Sequence, residues 1–105
     1  MGKMIDDRLK LHEILCDTLG SRNVYFQPPE SVKMKYPAIR YSRSPIEITY
    51  ADNSNYRQSV SYMITVIDRD PDSEVVERVS QIPHISHDRS YVADNLNHDV
   101  FTLYM

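Results

Sequence analysis
From Met4 to Leu19, the residues Ile5, Leu9, His12, Leu15, Cys16 and Leu19 recur at spacings of three and four, which predicts an amphipathic helix. Asp6 and Asp7 fall in its first turn, where the positive end of the helix dipole favours them, and Gly20 follows as a left-handed stop. Residues 23–27 read as a short strand that Pro28-Pro29 end, because proline offers no backbone donor. Residues 28–37 form a proline-bounded connection. A second strand covers 38–43, breaks at Pro45 and resumes after a bulge, where Ile46, Ile48 and Tyr50 alternate with Glu47 and Thr49. Residues 51–55 are a polar turn cluster. In the run 56–67, Tyr56, Val60, Tyr62, Ile64 and Val66 take one face, and Arg57, Ser59, Ser61 and Thr65 the other, with Met63 and Ile67 mixed in. The stretches 46–50 and 56–67 thus predict a hairpin with a protruding tip.

Asp70 as cap, Pro71 at the first helical position and the stripe Val75, Val76, Val79, Ile82 predict a short helix over 71–82, which Pro83 ends. Two strands follow, at about 85–93 and 98–104, joined by a turn at 94–97. The order α-β-β-β-α-β-β predicts an α+β fold: a mostly antiparallel sheet of about four to five strands with two helices packed on one face. At 105 residues the chain suits one domain, 1–105.

Composition narrows the function classes. The net charge of −3 gives no basic face for specific nucleic-acid binding. Cys16 is the one cysteine, so no internal disulfide can form; within an apolar helical pattern it reads as a small buried hydrophobe. No apolar run approaches the ~18 residues of a membrane span, and no charged-then-apolar leader precedes the first helix. Only Gly2 and Gly20 are glycines, too few for a loop that cradles phosphate, so no nucleotide cofactor is expected.

The candidate chemistry is sparse. Asp68-x-Asp70-x-Asp72 starts like a calcium loop, but Ser73 and Val79 stand where such a loop needs glycine and glutamate, and a helix start explains these aspartates better. His84-x-x-His87-Asp88 lacks a third nearby ligand, and residues three apart on a strand face opposite sides, so no metal is expected. Ser59, Ser61, Ser86 and Ser90 accompany these histidines, none on a nucleophile-elbow turn. The eight tyrosines fall on or beside strands, more than one small core easily holds, so they read either as interface residues or as core-edge residues with wet hydroxyls.

The stretches "LHEILCDTLGSRNVYFQPPESVKMKYPAIRY", "YMITVIDRDPDSEVVERVSQIP" and "VADNLNHDVFTLYM", in this order of elements, resemble the tail-terminator (tail-completion) and neck proteins of long-tailed bacteriophages. The resemblance covers the whole chain. It implies an α+β protein that is not an enzyme. It implies a homo-oligomer, a hexameric ring that caps the tail tube protein and meets the head-completion (connector) protein. DNA would pass through the ring, which would be assembled in the bacterial cytoplasm and reside in the virion. The segments outside the predicted core are the candidate contacts: Pro28, Pro29, Lys33, Lys35 and Tyr36 in the connection, and Asp52, Asn53, Asn55 and Tyr56 at the hairpin tip. Three other readings are weighed: a head-closure or minor capsid connector component, a small hydrolase or metal-dependent enzyme using His84, His87 and Asp88, and a monomeric adaptor that binds peptide by edge-strand addition.

Overall fold
A computed structural model of the chain describes residues 3–29, 31–44, 47–50 and 56–104. The first helix, α1, spans Lys3–Leu19 and closes on Gly20, whose φ of +84° is the left-handed stop that glycine supplies without strain. Its buried face is rotated from the expected one. Leu11, Leu15, Cys16 and Leu19 are buried, His12 is half-buried, and Leu9 is 51% exposed. Leu9 and Leu11 both fit a three-four spacing, so the pattern alone could not choose between them.

Seven strands follow: β1 (Val24–Phe26), β2 (Ala38–Arg43), β3 (Glu47–Tyr50), β4 (Tyr56–Ser59), β5 (Ser61–Asp68), β6 (Ile85–Ala93) and β7 (Leu96–Tyr104). The main sheet runs β1-β2-β5-β7-β6, antiparallel except for β1 beside β2. That parallel pair explains the connection 28–37, since the chain must return to the same end of the sheet before β2 can start. Along it Val32, Met34 and Tyr36 are half-buried while Ser31, Lys33 and Lys35 are exposed.

The hairpin differs in one respect from its expected form. The run 56–67 divides at Val60, giving β4 to a separate two-stranded sheet with β3 and β5 to the main sheet. Arg43 faces Tyr62 but Glu47 faces Ser59, so the β2–β3 side carries one more residue across the junction than the β4–β5 side; the expected bulge itself falls on Pro45, outside the described residues. Pro45, Ile46 and the tip 51–55 lie outside the described residues.

The second helix, α2, is shorter than expected, Glu74–Ser80. Ser73, not Asp70, is its cap: the Ser73 hydroxyl accepts the Val75 N–H at 3.2 Å. The aspartates ahead of it close two turns instead. The Asp68 carboxylate accepts the Asp70 N–H at 3.1 Å, and Asp70 accepts the Asp72 N–H at 2.9 Å. Between β6 and β7 the turn is tighter than 94–97. Asp94 and Asn95, both at positive φ, make the two-residue reversal that twisted hairpins prefer, and β7 begins at Leu96.

One core holds these elements together. Leu11, Leu15, Cys16 and Leu19 of α1 and Val75 and Val79 of α2 meet Ile39, Tyr41, Tyr62, Ile64, Val66, Phe101 and Leu103 on one face of the sheet. Each fully buried side chain of this kind contributes about 1.5–3 kcal/mol over exposure. On the opposite face Thr65, Ile67 and Val100 are buried too, whereas Met63 and Tyr104 are exposed. The tyrosines divide accordingly. Tyr41 and Tyr62 are core, Tyr25 and Tyr36 half-buried, and Tyr91 and Tyr104 exposed.

Candidate functional site
Two polar constellations stand out, at opposite edges of the main sheet. The first is at the β6 edge. A bulge at Asp88 shifts the register between His87 and Arg89, so His87 and Ser90, three apart, come to the same face. Regular alternation would have separated them. His87 Nε2 lies 3.1 Å from Asp99 Oδ1 and 3.2 Å from Ser90 Oγ, and the Ser90 hydroxyl donates to Asp99 Oδ1 at 2.6 Å. The His87 ring packs edge-on against Phe101, 5.0 Å between centroids.

This cluster contains serine, histidine and aspartate but not their relay. A relay uses the two imidazole nitrogens for different partners, one for the carboxylate and one for the nucleophile. Here a single nitrogen faces both, and the serine proton is held by the carboxylate. Asp88, the expected acidic partner, instead accepts a hydrogen bond from Thr102, and His84 stands apart at a positive-φ turn. Among the described residues no group of three or more His, Cys, Asp or Glu side chains is placed to hold a metal.

The second constellation is a notch beside β1. This strand ends after Phe26 because Gln27 turns to φ +43° and Pro28 has no N–H to give. Gln27 closes the ladder in another way: its N–H donates to Tyr41 O at 2.8 Å, and its side-chain Oε1 accepts the Arg43 N–H at 3.2 Å. Past that point β2 runs on with no paired strand on this side among the described residues. The resulting cleft, about 430 Å³, is lined by Gln27, Pro28, Arg40, Tyr41, Ser42 and Arg43.

Arg43 has an unusual position. It follows Ile39 and Tyr41 in the alternation of β2, so it falls on the apolar face. Its guanidinium lies 5.8 Å from the centre of the Phe26 ring and 5.9 Å from that of Tyr62. Arg8 of α1 lies over the same Phe26 ring at 4.5 Å. These are cation–π distances. Beneath them His12 Nδ1 and the Tyr41 hydroxyl share a hydrogen bond of 2.8 Å. Burial lowers the His12 pKa, and the nearby positive charges of Arg22 and Arg8 lower it further, against the opposing pull of Glu13. Burial raises the Tyr41 pKa. Cys16 is buried and its thiol pKa is raised by that burial, as for a structural hydrophobe rather than a nucleophile.

The expected contact residues are distributed unevenly around this geometry. Pro28 is half-buried and lines the notch; Pro29, Lys33 and Lys35 are exposed. Tyr36 is half-buried, and the Arg69 guanidinium lies 6.0 Å from its ring centre, which ties the connection to the end of β5. Tyr56 opens β4 opposite Tyr50, while Asp52, Asn53 and Asn55 lie outside the described residues. The notch residues Arg8, Phe26, Arg40, Arg43 and Tyr62 were not among the expected site. The available signal was an arginine at an apolar-facing strand position. No protein-family model matches the chain, and no curated protein matches it.

Proposed function
We propose that this chain is a structural protein of the bacteriophage neck, a tail terminator whose copies close into a ring. The ring caps the tail tube on one face and meets the head connector on the other, stopping tube growth by surface complementarity rather than by chemistry. The observation that carries this reading is the β3–β4 hairpin. It is a separate two-stranded sheet beyond the end of the main one, in a molecule with extents of 51 × 28 × 25 Å. The radius of gyration is 15.0 Å, against about 13 Å for a compact chain of this length. Two isolated strands are marginal in water and gain stability from a surface to lie on.

A second surface of different shape supports the reading. The sheet ends on β6, nine residues long with no strand beyond it among the described residues, whereas the other edge is the three-residue β1 closed by prolines. A closed ring of identical subunits needs two unlike patches, and a projecting hairpin and a long open edge are such a pair. The test is to add the purified protein to polymerising tail tube protein and measure tube lengths by electron microscopy. Short tubes carrying an extra ring at one end are expected. Unchanged tube lengths with the protein left free in solution would contradict the proposal.

A further inference from the structure
We propose that the notch at the end of β1 is an oxyanion site, with Arg43 as its principal ligand and Arg40 and the Ser42 hydroxyl at its rim. The inference rests on hydrogen-bond accounting around one guanidinium. Two other arginines are held in ion pairs. Arg22 makes a two-pronged contact with Glu13, at 3.0 and 3.2 Å, and Arg78 reaches Glu74 at 3.6 Å and donates to Thr18 O at 2.8 Å. Among the described residues Arg43 has no ion pair, and its Nε is buried with no hydrogen-bond partner.

Among the described residues the other buried side-chain atom without a partner is the hydroxyl of Tyr62, the residue directly across the strand pair from Arg43. Tyr62 is fully buried. Arg43 Nε can only donate, whereas the Tyr62 hydroxyl can donate or accept, so it is at Arg43 that an acceptor is wanting. The Arg43 guanidinium lies within cation–π range of both Phe26 and Tyr62, contacts that leave its N–H groups available for bonding. Nε is sealed, so the terminal nitrogens are those that can meet a ligand from the notch. Arg8 and Arg40 add positive charge nearby, and among the described residues none that lines the cleft is acidic. The ligand class that fits those terminal nitrogens is a phosphate or carboxylate group, whose paired oxygens match two parallel guanidinium N–H groups. The proposal is independent of ring formation.

The experiment uses the full chain labelled with ¹⁵N and follows the arginine Nε–Hε resonances during titration with inorganic phosphate and, separately, acetate. A saturable shift at Arg43, with Arg22 unmoved, is expected for at least one anion. The anion that saturates at lower concentration assigns the site to phosphate or to carboxylate. Arg43→Lys keeps the charge but loses the fork, and should weaken binding about tenfold. Parallel, non-saturating shifts at Arg43 and Arg22, or no shift at Arg43 with either anion, would overturn the proposal.

Discussion

The cluster at Asp99 and the notch at Arg43 are both polar groups set against the same apolar core, yet they are bonded in opposite ways. At Asp99 one carboxylate oxygen takes the serine proton and faces the imidazole, so donors and acceptor close on one another. At Arg43 a buried donor has no acceptor among the described residues, and the Tyr62 hydroxyl across the strand pair has no partner either. A closed cluster stabilises the pairing of β6 with β7 and has little left to offer a ligand. An open one leaves a desolvation cost of about 1–3 kcal/mol per group, which persists in a fold only where other contacts outweigh it or a ligand relieves it. Residue types alone would have ranked the two the other way, since serine, histidine and aspartate suggest chemistry and an arginine beside tyrosine does not.

Substitutions can break or sharpen this contrast. The largest effect belongs to the core beneath the closed cluster. Phe101→Ala should cost about 3–5 kcal/mol, read from urea unfolding, because it removes a fully buried ring that also supports His87. Asp99→Ala should cost about 0.5–1.5 kcal/mol by removing the acceptor of the Ser90 hydroxyl and the neighbour of the His87 ring. Tyr62→Phe, by contrast, should cost nothing and should gain up to about 1 kcal/mol, since it deletes a hydroxyl that has no partner. A loss at Tyr62 equal to that at Asp99 would erase the contrast.

Acid provides a smaller test. His12 titrates lower in the fold than in the unfolded chain, so the unfolded state binds the proton first. Stability from this group is complete above about pH 6.5 and falls as pH drops below it toward the folded value. His12→Gln should flatten that part of the pH–stability curve. The smallest effect belongs to the exposed Arg22–Glu13 pair: Arg22→Gln should leave the unfolding midpoint unchanged.

The fold was legible where local rules act alone. The period of α1, the glycine after it, the hairpin and the apolar alternation of β5 and β7 all follow from spacing, and the α+β arrangement follows from their order. What was not legible depends on register. The bulge at Asp88 cannot be read from "HISHDRSYV", yet it alone brings His87 and Ser90 to one face and selects Asp99 over Asp88. The cap moved from Asp70 to Ser73 because each aspartate satisfies a backbone N–H two residues on before a helix can start. The parallel pairing of β1 with β2 is a long-range choice that a three-residue strand cannot announce. The proline turn follows the strand it was expected to end. Pro28 does end a strand, and in doing so it leaves the gap that Arg43 borders.

The central claim is that this chain works as an assembled ring. Native mass spectrometry of the purified protein at high concentration tests it most directly. The account predicts a discrete closed species, with six copies of the 12.3 kDa chain as the expected number. Monomer alone at every concentration, with tail tube protein present as well as absent, would contradict it.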